Sequence, residues 1–185
     1  MIRTFIAVPI PIITSVAACL TNLKSKLVND KIKWIDPANM HITLFFMGDT
    51  EEEKIAEIET YLQDAFFDFT SFEIELSELG LFSRQGRPQV IWMGIKRIKE
   101  LTEIKKSIDN KLSQIGFQPE DRPFKPHLTL GRVKYVSDKK QLNDLVQRDK
   151  MKVYGRVKIN EIILYKSELT SAGPIYTPLE TVQLV

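Results

Sequence analysis

The chain contains two histidines, and they occur in matching surroundings: His41-Ile42-Thr43-Leu44 and His127-Leu128-Thr129-Leu130. The two motifs lie nearly half a chain length apart. If each is a strand, residues two apart point the same way, so His and Thr share one face and the aliphatic residues enter a core on the other. Each motif then offers one imidazole and one hydroxyl to the same space. Two such motifs packed about a pseudo-twofold would face each other across a cleft. An ordinary imidazole pKa near ~6.5 lets one ring be neutral and the other protonated close to neutral pH, which suits paired acid–base chemistry. Two hydroxyl donors beside them suit the nonbridging oxygens of a phosphate. Together they describe metal-free cleavage of a phosphodiester, in which one His takes a proton from water and the other protonates the leaving alkoxide. The symmetry of the motif leaves open which does which.

A lone strand histidine is more simply an ordinary half-buried residue; it is the repetition, with Thr in the same place, that argues for a site. Zinc is the competing use of two histidines, but it needs a third ligand, and neither motif strand offers Asp, Glu or Cys on the His face. A serine or cysteine nucleophile has less support. No G-x-S-x-G occurs, and Cys19 falls in the middle of an expected helix.

Those side chains need a scaffold, and composition allows one. The chain of 185 residues can bury a sizeable core as a single domain without disulfides. Hydrophobic residues make up 43% and charged residues 27%, so disordered and fibrous classes drop out. A net charge of +2 gives no overall basic field, so any phosphate affinity must come from local groups. The single cysteine excludes an intramolecular disulfide and a multi-cysteine zinc site. The opening residues, with Arg3 and an apolar run ending at Cys19, resemble an export signal. Pro9 and Pro11 interrupt that run, however, and the helical period Ile13, Val16, Leu20, Leu23, Leu27 passes straight through the cleavage point. No apolar run reaches the ~18 residues of a membrane span. A cytoplasmic protein without membrane attachment is expected.

Along the chain, strand, helix, strand, helix, strand is written twice. The first half reads Phe5 to Val8, a helix from Pro11 to about Asn29, a strand from Met40 to Phe46, a helix from Glu51 to Phe66, and an alternating strand through Phe72, Ile74 and Leu76. Thr50 and Glu53 suggest a capping box. After the loop Phe82 to Pro88, the second half reads a strand Gln89 to Ile95, a helix Lys99 to Ile115 ended by Gly116, a strand His127 to Val133 and a helix Asp138 to Arg148. Strand signals follow at Val153 to Ile159, Ile162 to Lys166 and Tyr176 to Leu184. The expected fold is α+β and bilobal, with two pseudo-twofold-related β-α-β-α-β repeats (roughly 1–80 and 88–185) whose sheets line a central cleft within one domain.

On these residues the chain resembles the two-histidine (2H) phosphoesterase superfamily, and within it the RNA 2′,3′-cyclic phosphodiesterases, also called 2′-5′ RNA ligases. The likeness extends past the motifs. It includes Arg3 to Ala7, Trp34 to Asp49, Leu79 to Phe82, Val90 to Gly94, Phe124 to Arg132, and Ser167, Gly173 and Tyr176 to Leu179. The resemblance implies hydrolysis of an RNA 2′,3′-cyclic phosphodiester to a 2′-phosphomonoester without metal or other cofactor. It makes His41 the proton donor and His127 the proton acceptor. The implied partner is an RNA with a 2′,3′-cyclic phosphate end (tRNA-derived or other) or a small cyclic nucleotide, and a monomer is the expected state. Ligation of RNA ends through a 2′-5′ bond by the same acid and base, and a non-catalytic RNA-binding module, are the alternatives.

Thr43 and Thr129 are the expected phosphate ligands. Arg132 matches an arginine of the second family motif and would join them if a bulge at Gly131 turns it to the His face. Phe45 shares parity with His41 and Thr43 and is the candidate for stacking on a base, with core or rim packing as the plainer reading. Arg84 and Arg87 read as a solvated loop, and Trp34 and Trp92 as structural.

Overall fold

Alternating apolar positions generate the strands and 3.6-residue periodicity the helices, in nearly the order the sequence suggests. The computed structural model describes every residue except Ala172. The elements are β1 (Ile2–Pro9), α1 (Thr14–Lys26), β2 (Lys31–Trp34), a 3₁₀ turn (Pro37–Asn39), β3 (His41–Thr50), α2 (Glu52–Phe66), β4 (Phe72–Arg84), β5 (Arg87–Lys96), α3 (Lys99–Gln114), β6 (His127–Tyr135), α4 (Lys139–Arg148), β7 (Val153–Ile159), β8 (Glu161–Leu169) and β9 (Pro174–Gln183). They form two antiparallel sheets, ordered β3-β1-β8-β9 and β2-β6-β5-β4-β7. The fold is α+β and bilobal.

The sheets and the sequence halves are not the same units. In each sheet the motif strand pairs with the first strand of its own half, β3 with β1 and β6 with β5. The next strand is lent by the other half: β8 joins β1, and β4 joins β5. This exchange ties the lobes into one body with a continuous apolar core. Ile42, Leu44, Leu128 and Leu130 are buried in it, as the alternation of the motifs requires. α3 packs against β3 and α4 against β4.

Local chemistry explains where the elements depart from expectation. α1 begins at Thr14, not Pro11, because the Ile10 N–H still donates to the Met40 carbonyl and extends the sheet past Pro9. Val16, Cys19, Leu20, Leu23 and Leu27 are buried along α1, so the helix runs unbroken through Cys19. Thr50 caps nothing. It closes β3, and its buried hydroxyl sits 2.7 Å from that of Thr4, leaving Glu51 at the α2 cap without a side-chain bond. The Phe82 to Pro88 segment is a hairpin, in which Arg84 pairs with Arg87 around Gln85 and Gly86. Both turn residues have positive φ, 50° and 69°, as a tight two-residue turn demands. β2 is a short strand the sequence reading did not separate; it adds to the free edge of β6. No helix among the described residues is long and apolar enough to cross a membrane.

Candidate active site

The two motif strands carry the same irregularity at the same place. Along β3, Thr43 pairs with Ala7 and Phe45 with Ile6, leaving Leu44 as an extra residue. Along β6, Thr129 pairs with Trp92 and Gly131 with Ile91, leaving Leu130 extra. Each bulge therefore falls on the third residue after the histidine. It sends two consecutive side-chain positions inward and returns the fifth residue after the histidine to the outer face. In β6 that residue is Arg132, exposed beside the buried Leu130 and Gly131. Glycine fits there without displacing its neighbours, whereas a Cβ on residue 131 would lie 2.9 Å from Ile32 Cγ2 and 3.0 Å from Trp34 Cε3.

The equivalent bulge in β3 corrects the reading of Phe45. Its side chain is 5% exposed, packed in the core beneath the Lys105 ammonium, and no base can stack on it. Parity failed because the extra Leu44 reverses the faces. Phe46, 47% exposed, takes the outer position, with the Arg3 guanidinium 5.0 Å from its ring centre.

Each imidazole is oriented by the backbone just before it. His41 Nδ1 is 2.7 Å from the Asn39 carbonyl, and His127 Nδ1 is 2.8 Å from the Lys125 carbonyl. A carbonyl only accepts, so Nδ1 carries the proton in both rings and Nε2 is the atom left for proton transfer. Aromatic side chains hold the rings. Phe5 lies 5.0 Å from His41, and Tyr176 meets it edge-on at 5.3 Å. Phe82 meets His127 edge-on at 4.8 Å and is itself backed by Trp92. Trp92 lies over Gly80, where any Cβ would sit 2.0 Å from the indole. Trp92 is thus packed against Gly80 and Phe82, with its ring 6.5 Å from that of His127. Arg84 and Arg87 are exposed at the hairpin tip.

His41 is pushed below its ordinary value of 6.5, chiefly by burial. The bond to the Asn39 carbonyl opposes this, while the positive charge of Arg132 and that of His127 lower it further. Arg132 also pulls against the burial that raises Tyr176. Arg132, though exposed, lines the same cleft as His41 and Tyr176.

A cleft of about 280 Å³ opens here, and its lining includes His41, Thr129, Arg132, Lys33, Thr170 and Gly173, with Trp34, Ile35, Pro174, Ile175 and Tyr176. Thr43, on the His41 face of β3, is exposed, and neither it nor His127 is among the residues that line this cleft. Sequence reasoning missed Lys33 and Tyr176 as cleft residues and took Trp34 as structural only. The alternation Lys31-Ile32-Lys33-Trp34 was the available signal, since it marks an edge strand with one charged face. Among the described residues, no group of three or more His, Cys, Asp or Glu side chains is gathered as a metal site.

Comparison with known proteins finds relatives over most of the chain. Over 174 residues the chain is 37% identical to an RNA 2′,3′-cyclic phosphodiesterase of Methanocaldococcus jannaschii, covering 94% of this chain and 96% of that one. A protein of the same name from Methanothermobacter thermautotrophicus is 35% identical over 159 residues, 86% of each. A crystal structure from Thermus thermophilus superposes with a TM-score of 0.79 at 25% identity, covering 98% and 97%. That of E. coli LigT complexed with 3′-AMP gives 0.77 at 21% identity, covering 100% and 98%, and shares the fold. Residues 28–170, which span both histidine motifs and the bulges behind them, match the 2′-5′ RNA ligase superfamily, and the chain belongs to that family.

Proposed function

We propose that the protein hydrolyses RNA 2′,3′-cyclic phosphodiester ends to 2′-phosphomonoesters, with His41 as proton donor and His127 as proton acceptor and without a metal. The observation that carries this reading is the pair of imidazoles with Nδ1 tied to a carbonyl, each on a bulged strand with a threonine two residues on. His127 Nε2 takes a proton from the attacking water. His41 Nε2 gives one to the departing 3′-oxygen, which becomes the free hydroxyl, and the phosphate stays on the 2′-oxygen. Thr43 and Thr129 donate to the nonbridging oxygens, and Arg132 neutralises the charge gathering on them.

The electrostatics of His41 suit a donor. Its lowered pKa means a weakly held proton, easily surrendered to a basic alkoxide. The same shift leaves the ring under-protonated in the free protein. An anionic cyclic phosphate bound beside it favours the charged imidazolium and reloads the acid. Substrate binding and acid loading are thereby linked.

The relatives named RNA 2′,3′-cyclic phosphodiesterase support this substrate class. The test is turnover of an RNA ending in a 2′,3′-cyclic phosphate, with a chelator present, by the protein and by its His41→Ala and His127→Ala variants. Each folded variant should lose about 10²–10⁴ in rate. Undiminished turnover by either would remove that histidine from the mechanism.

A further inference from the structure

Arg132 has a neighbour of like charge on the same face. Lys33 on β2 is the cross-strand partner of Arg132 on β6, and directly opposed residues of an antiparallel pair project to the same side of a sheet. Two cations side by side repel. The charge of Arg132 is felt by His41 and Tyr176, whereas the Lys33 ammonium lies against the β8–β9 turn, where a Cβ on Gly173 would be only 3.6 Å from Nζ. That glycine has φ +149°, so the turn itself keeps a side chain away from the ammonium. Among the described residues, neither cation makes an ion pair. The one carboxylate in the cleft lining, Asp36, accepts the Ala38 N–H at the 3₁₀ turn and forms no ion pair with either cation.

Two unpaired cations, Arg132 and Lys33, therefore line one cleft beside His41 and Thr129, with Trp34, Ile35, Pro174 and Ile175 as its apolar lining. A nucleotide can meet both cations, with one phosphate on the 3′ side of the sugar, an uncharged nucleoside body, and a second phosphate on the 5′ side. We propose that Lys33 and the Gly173 turn form a second phosphate subsite, which takes the phosphate 5′ to the terminal nucleoside. The preferred substrate then bears a phosphate next to its cyclic end and is not a bare nucleoside cyclic phosphate. This rests on the phosphodiesterase reading, to which it adds the substrate length.

The test compares kcat/KM for adenosine 2′,3′-cyclic phosphate, its 5′-phosphorylated form, and a dinucleotide ending in the cyclic phosphate, using the protein and Lys33→Gln and Lys33→Glu variants. The protein should favour both substrates bearing the 5′-side phosphate by about five-fold or more, the scale of one partly exposed charge contact. Lys33→Gln should bring that ratio near one, and Lys33→Glu should drive it below one. The salt slope for the dinucleotide should fall by about one unit in Lys33→Gln. Preference for the dinucleotide but not for the 5′-monophosphate would overturn the phosphate as its cause. Turnover of all three substrates at equal kcat/KM, or a preference that survives Lys33→Glu, would overturn the subsite and leave the phosphodiesterase reading standing. No turnover of any of the three would overturn that reading and the subsite together.

Discussion

Replacing Gly131 by alanine asks whether the bulge in β6 is what delivers Arg132 to the phosphate. The added Cβ would meet Ile32 Cγ2 at 2.9 Å and Trp34 at 3.0 and 3.3 Å, all below ordinary contact. Ile32 and Trp34 are only partly buried on the edge strand β2, so they can yield by tenths of an ångström. Relief by this route is the mild end of overpacking, about 1–2 kcal/mol of stability. The functional cost comes from Arg132, displaced as β2 and β6 part. A charge-assisted contact to phosphate is worth about 1.5–3 kcal/mol, which is roughly 10- to 150-fold in kcat/KM when lost outright, as in Arg132→Met. Gly131→Ala should show part of that loss and never exceed it. Urea denaturation gives the stability change, and steady-state hydrolysis of a cyclic-ended RNA gives kcat/KM. A variant destabilised as expected, with kcat/KM within about two-fold of the parent, would refute the idea that the bulge positions Arg132.

Two further expectations concern the groups around the phosphate. Thr43→Val and Thr129→Val keep the strand shape but remove a donor, and each should lower kcat/KM by about 1–3 kcal/mol; equality with the parent in both would make the threonines mere strand formers. Because His41 must carry its proton to act as donor and its value is lowered, kcat/KM should fall as pH rises through a point below 6.5. In kcat, which reports the complex, the same limb should move to higher pH, because the bound anion holds the proton on His41. Removing the Arg132 charge should raise the His41 titration midpoint measured by NMR; a downward move would contradict the sign assigned to that neighbour.

The shared face of each His and Thr is readable in the sequence because a strand's period of two is a local property. His41 and Thr43, and His127 and Thr129, share faces whatever the sheet order. Register over five residues is less local. In β6 a glycine signals the bulge that turns Arg132 to the His face, whereas Phe45 gives no such sign in β3. There Leu44 is the extra residue and Phe46, not Phe45, faces outward. Thr50 misleads because a threonine before acidic residues looks like a cap, while its hydroxyl in fact pairs with Thr4, a contact made only in the folded sheet. The exchange of β4 and β8 between sheets is equally hidden, since it depends on which edges remain free after β1 and β5 have paired.

The central claim is that His41 protonates the 3′-oxygen while His127 activates water, and the product end reads this out directly. An RNA ending in a labelled 2′,3′-cyclic phosphate is digested to completion with chelator present, and the new end is treated with a phosphatase specific for 3′-phosphates. The label should stay on the RNA, as a 2′-phosphate. Its release as inorganic phosphate would mean that the 2′-oxygen had left instead, and the assignment of His41 and His127 to their oxygens would be wrong.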